Sequence, residues 1–155
     1  MDRIHAVENM AFTILDEIGD EVEKMEAIAH LSGVAKFSFL LASRRSVNPE
    51  LAYISGILHD LYAFTHERKE HALHGSVLAL GVLKSLNTFN DDEIDAVVMA
   101  IKHHSDKKRV HDPLSEVLKD ADVLDHFLSD PFQSPSVKDY QRYRSLKKEL
   151  GINLP

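Results

Sequence analysis

Apolar residues recur every three or four positions along most of the chain, the period of helices that bury one face, and no sustained apolar–polar alternation of a strand is found. His30 lies on one such stripe with Val34, Phe37 and Leu41, so its imidazole points to the core side. Ile94, Val97 and Ile101 form another, and the next position on it is His104 rather than His103. Leu114, Leu118 and Asp122 step by four, which sends Asp122 inward as the buried acid and turns Asp120 away by roughly 200°. Helix punctuation agrees with the period. Asn48-Pro49-Glu50 and Asp112-Pro113 each read as an N-cap followed by proline at the first helical position, and Asn90 with Glu93 and Ser136 with Asp139 read as capping pairs. The expected helices span about 2–18, 21–45, 49–63, 67–87, 91–104, 113–128 and 136–150, an all-α bundle of six or seven helices.

Composition narrows the class. A chain of 155 residues is expected to form a single domain over 1–155, large enough to bury roughly 68–70% of its unfolded surface. With 25 acidic against 18 basic side chains the formal charge is -7, which argues against a general nucleic-acid-binding surface. There are no cysteines, so disulfides, thiolate zinc sites and a cysteine nucleophile are excluded, and any metal must sit on nitrogen and oxygen. No glycine falls between Val82 and Leu150, and neither a phosphate-cradling loop nor a dinucleotide fingerprint is present. The acidic N-terminus lacks a signal-peptide pattern and no apolar run approaches 18 residues, which predicts a cytoplasmic protein with no membrane partner.

Against that background the adjacent His59 and Asp60 stand out, inside the apolar stretch 54-ISGILHDLYAF-64. An imidazole and a carboxylate buried without partners would each cost several kcal/mol, on the order of a desolvated polar or charged group, whereas a divalent cation satisfies both. His71 and His74 are three apart in a helix and both could reach one centre from the same face. Taken singly, His30 reads as a hydrogen-bonded core residue, Asp122 as the partner of a lysine, and His71, His74, His103 and His104 as surface residues, with 66-HERKEH-71 as solvated charge. Inward-facing histidine and aspartate from several helices favour a shared centre, because each buried group would otherwise need its own compensation.

The order of these residues resembles the HD-domain metal-dependent phosphohydrolases over about 26–128, with the helix 136–150 outside it. The family's histidine, histidine-aspartate pair and distal aspartate are matched by His30 in 28-IAHLSGVAKFSFLLA-42, His59-Asp60 in 56-GILHDLY-62 and Asp122 in 118-LKDADVLDHF-127. The segment 71-HALHGSVLALGVL-83 resembles the stretch in which a histidine precedes a glycine by four, which selects His71, and 100-AIKHHSDK-107 resembles an isoleucine followed three residues later by histidine, which selects His104, with His74 and His103 as candidate additional metal or phosphate ligands. The chain departs from a subfamily with glycine and lysine after the pair, since Leu61-Tyr62-Ala63 follow Asp60, and from nucleotide-cleaving relatives with a glutamate three residues on.

The resemblance implies a phosphohydrolase in which one or two divalent ions activate a water against a phosphomonoester or phosphodiester of a nucleotide or other small metabolite. In that reading Asp60 is the catalytic residue and bridges two ions, with His30, His59 and Asp122 completing one shell and His71 and His104 the second. Two ions carry +4 against -2 from the two aspartates, leaving positive charge for an anionic substrate. Mixed imidazole and carboxylate ligation suits manganese, iron, cobalt, nickel or zinc, with magnesium also admissible. Imidazoles protonated near their reference pKa of ~6.5 cannot hold a metal, so acid is expected to inhibit. Lys102, Lys107, Lys108 and Arg109 flank the histidine pair and are candidates to steady the phosphate, against the plainer reading of solvated charge. A nucleotide-sensing module without turnover and a di-iron oxygenase on the same scaffold are the alternatives, and a homo-oligomer is compatible with every reading.

Overall fold

The structure is a computed structural model and describes residues 2–132, 134 and 136–153. Among the described residues there are eight helices and no strands: α1 Arg3–Leu15, α2 Glu21–Arg44, α3 Pro49–Leu58, α4 Leu61–Thr65, α5 His71–Leu86, α6 Asp91–His103, α7 Pro113–Ser129 and α8 Tyr140–Leu150. The all-α class expected from the periodicity is what forms. Three of the four expected caps close helices. Asn48 accepts from the amides of Glu50 and Leu51 ahead of Pro49, Asp112 accepts from Ser115 ahead of Pro113, and Asn90 and Glu93 make a reciprocal capping box. The fourth does not: Ser136 hydroxyl donates to Asp139 within a turn, and α8 starts only at Tyr140.

Two expected helices are shorter or broken, each for a local reason. The run expected over 49–63 divides at Asp60, whose φ of -111° and ψ of 10° leave the helical region. The run expected from 67 begins at His71, because Glu70 adopts a left-handed φ of 50°. Both interruptions fall beside ligand-type side chains.

α2 is the central helix and packs on α3 and α7. Gly56 sets its distance from α3. A Cβ there would stand 2.5 Å from Ala35 Cα and 2.6 Å from Ala35 N, so only glycine permits the backbones to approach this closely. That crossing brings the middle of α2, with His30, opposite the end of α3, with His59. An 18-residue window of α2 reaches a mean hydropathy of 1.2, enough by length and composition to cross a membrane. The same apolar character serves the bundle, since Ala27, Leu31, Val34, Ala35, Leu41 and Ala42 are buried against its neighbours. α8 packs on α7 through Tyr143 and Leu146, with the Phe127 and Tyr143 rings 3.9 Å apart, and Glu149 pairs with Arg45.

Candidate metal centre

Six of the sequence-predicted residues come together in one cluster, four of them lining a cleft. His30 arrives from α2, His59 and Asp60 from the α3–α4 break, His71 from the first turn of α5, His104 from the end of α6 and Asp122 from α7. His30 Nε2 lies 3.2 Å from His59 Nε2 and 3.6 Å from Asp122 Oδ1, and His59 Nε2 lies 3.7 Å from the same oxygen. Asp60 divides its oxygens between two groups of nitrogens. Oδ2 stands 3.7 Å from His59 Nε2 and 3.9 Å from His30 Nε2, while Oδ1 stands 3.1 Å from His104 Nε2 and 3.4 Å from His71 Nε2. Ligand atoms of His30, His59 and Asp122, and likewise of His59, Asp60 and His104, all lie within 4.8 Å of one another.

The second nitrogen of each imidazole explains why the first is available. Nδ1 of His59 donates to Gly56 O at 2.8 Å, Nδ1 of His104 to Ile101 O at 2.6 Å and Nδ1 of His71 to Arg68 O at 2.9 Å. Each of these carbonyls can only accept, so the proton sits on Nδ1. Nδ1 of His30 meets Asp125 Oδ2 at 2.7 Å. Each ring therefore turns its Nε2 into one shared space, where His104 Nε2 meets Asp60 Oδ1 at 3.1 Å. Two such nitrogens 3.2 Å apart are held together either by a proton on one of them or by a cation that both ligate. Asp122 Oδ1 adds a further demand: it is buried without a hydrogen-bond partner, though His126 Nε2 passes at 3.2 Å. The donor set, all imidazole and carboxylate, fits a divalent transition-metal ion.

Both carboxyls are held ionised against their surroundings. Burial by itself would raise the Asp60 pKa, but the neighbouring His59 imidazole and the hydrogen bond with His104 Nε2 hold it well below the usual carboxylate range. Burial opposes ionisation of Asp122 as well, and Lys107, with His126 and His59, outweighs it. Lys107 Nζ donates to Asp122 Oδ2 and to His104 O, which turns Oδ1 toward the imidazoles.

The other candidates are placed elsewhere. His74 is exposed and stacks on Tyr62, with ring centroids 5.1 Å apart. His103 stacks on His111 at 3.9 Å and meets Ser115 Oγ at 3.3 Å, turned away from the centre as the α6 stripe implied. Lys102, Lys108 and Arg109 are exposed and none lines the end of the cleft at the metal-ligand cluster, so of the four basic candidates only Lys107 reaches it. Asp122 is not the sole buried acid on α7. Asp120, expected to face away, is buried by its ion pairs with Arg45 and Arg142, and Asp125 by its bond to His30.

Asp125 and His126 escaped the sequence reading, although their spacing of three and four from Asp122 puts them on its face. Gly33 escaped it too. A Cβ at Gly33 would stand 1.9 Å from Asp125 Oδ1, so the missing side chain is the space in which Asp125 reaches His30. Against the cluster lies a cleft of about 410 Å³, whose lining includes Asp60, His71, Lys107, Asp122 and His126, with Arg68 and Lys138.

The family model for the HD domain matches residues 6–126. A crystal structure of a predicted HD superfamily hydrolase from an uncultured Thermotogales bacterium superposes with a TM-score of 0.63 at 23% sequence identity, covering 92% of this chain and 88% of that one. No curated protein matches the sequence.

Proposed function

The chain belongs to the HD-domain family, and from that premise we propose that it is a metal-dependent phosphohydrolase acting on a phosphomonoester or phosphodiester of a nucleotide or other small metabolite. The observation that carries this reading is the convergence of imidazole Nε2 atoms and ionised carboxylate oxygens on one point, with His30 and His59 nitrogens 3.2 Å apart. One or two divalent ions bound there would supply positive charge to the phosphate oxygens and lower the pKa of a water toward neutrality. The residues that would hold them are His30, His59, Asp122 and Asp60 Oδ2 on one side, and His71, His104 and Asp60 Oδ1 on the other.

The chain's own side chains do the positioning. Asp60 ties the two ligand groups together, which makes it the residue whose loss is most damaging. Peptide carbonyls and Asp125 fix the imidazole tautomers, so no ring has to reorient on metal binding. Lys107, Arg68 and Lys138 bring positive charge to the cleft lining, beside the carboxylates of Asp130 and Asp139. The volume of about 410 Å³ suits a metabolite-sized ligand.

A panel of phosphomonoesters and phosphodiesters, assayed with manganese, iron, cobalt, nickel, zinc and magnesium in turn, tests the assignment. Asp60→Ala should abolish metal-dependent turnover while circular dichroism stays helical. Full activity in that variant, or no turnover by the unaltered protein with any ion in the panel, would refute it.

A further inference from the structure

The loop 104–112 between α6 and α7 has neither helix nor strand, yet it delivers a lysine with a buried side chain. Lys107 is 8% exposed at its side chain, with Nζ on Asp122 Oδ2. A lysine on an unanchored loop would lose side-chain and backbone freedom each time it met a ligand. This loop is anchored, and the anchor comes from outside the residues matched by the family model. Arg142, on α8, donates from Nε to Lys107 O at 2.9 Å and from Nη2 to Arg109 O at 3.4 Å. Its Nη1 donates to Glu116 Oε2 at 2.8 Å and Asp120 Oδ1 at 3.0 Å, both on α7. One guanidinium thus bridges the loop backbone and the helix that carries Asp122. Lys119, fully buried on α7, repeats the pattern from the other side, donating to Arg109 O at 2.9 Å and Glu116 Oε1 at 2.7 Å.

We infer that Arg142 is a positioning residue for phosphate recognition, acting through Lys107. By tying the Lys107 carbonyl to α7 it holds Nζ in the cleft lining, beside Asp122, where a phosphate on the metal ions would meet it. The planar fork is what the task requires, because a lysine ammonium at 142 could keep an ion pair with Glu116 or Asp120 but could not also span two carbonyls in fixed directions. Only the choice of phosphate as the anion rests on the phosphohydrolase reading; the clamp itself rests on the hydrogen bonds.

The test uses the full chain loaded with manganese and titrated with inorganic phosphate by calorimetry. Arg142→Lys, which keeps the charge on α7, should melt within a few degrees of the unaltered protein, bind phosphate about tenfold more weakly, and exchange the amides of residues 105–111 faster, as expected for losing hydrogen bonds of a charged donor. Lys107→Met should weaken phosphate to a similar extent, and adding Arg142→Met to it should cost less than about twofold more, the non-additivity of two residues acting as one. Phosphate affinity and loop exchange unchanged in Arg142→Lys, or fully additive losses in the double variant, would overturn the inference. Phosphate bound with the expected losses but no turnover by the unaltered protein of any phosphomonoester or phosphodiester in the panel, with any of its ions, would sink the phosphohydrolase reading and leave the clamp standing.

Discussion

Gly33→Ala separates the stability of α2 from the competence of the centre. Replacing a mid-helix glycine by alanine should stabilise a helix by about 0.5–1 kcal/mol through propensity and the unfolded chain. Here the new methyl would fall 1.9 Å from Asp125 Oδ1 and 2.9 Å from its Cγ, so the carboxylate must swing away. Its 2.7 Å bond to His30 Nδ1 is then broken, and a charge-assisted hydrogen bond inside the bundle contributes about 1.5–3 kcal/mol. The two effects oppose each other. Net destabilisation of the metal-free protein should be about 1–2 kcal/mol, while loss of the partner that orients a ligating imidazole should weaken metal binding about 10–100-fold. Thermal melts with chelator present measure the first quantity, and manganese titration by calorimetry measures the second. A variant that melts higher than the unaltered protein and binds manganese with unchanged affinity would show that Asp125 does not set the geometry of His30.

Two further outcomes follow from packing and from charge. Gly56→Ala puts a methyl 2.5–2.6 Å from the Ala35 backbone, which cannot rotate aside as a side chain could, so the urea midpoint should fall by the equivalent of about 3 kcal/mol; a loss below ~0.5 kcal/mol would contradict the close crossing of α2 and α3. Glu116 is partly buried, which would raise its pKa, but Arg142 and Lys119 hold it down to about 2 from an ordinary 4.5. A depressed carboxyl contributes stability that is complete above the unfolded value and is lost as pH falls through the folded one, so equilibrium stability should decline between pH 4.5 and about 2, and Glu116→Gln should flatten that decline. An identical slope in both proteins would remove Glu116 from the acid response.

Much was legible in the chain because helix period and side-chain direction are local properties. Stripes of apolar residues placed His30, His104 and Asp122 on inward faces, and the structure has them there, with His103 turned away on the same helix. The caps at Asn48, Asn90 and Asp112 were equally local, since each bonds amides two or three residues on. The break of the expected 49–63 helix at Asp60 left no such trace in Leu61-Tyr62-Ala63, which are acceptable helix residues.

What periodicity could not carry was which inward groups meet and what holds them in place. His30 and Asp125 are 95 positions apart, and their bond exists only because α2 crosses α7 at a glycine. Asp120 carries the same charge as Asp122 two residues later, yet one is neutralised by arginines from α2 and α8 while the other keeps a bare oxygen for a cation. Lys107, Lys108 and Arg109 read alike as basic residues, and only the tertiary contacts of the loop, Lys107 Nζ on Asp122 and Arg142 on the Lys107 carbonyl, distinguish the one that turns inward. Sequence alone determined the helices and the ligand types they present. Packing decided the partners, because the energy of a buried charge depends on which distant groups lie within a few ångströms of it.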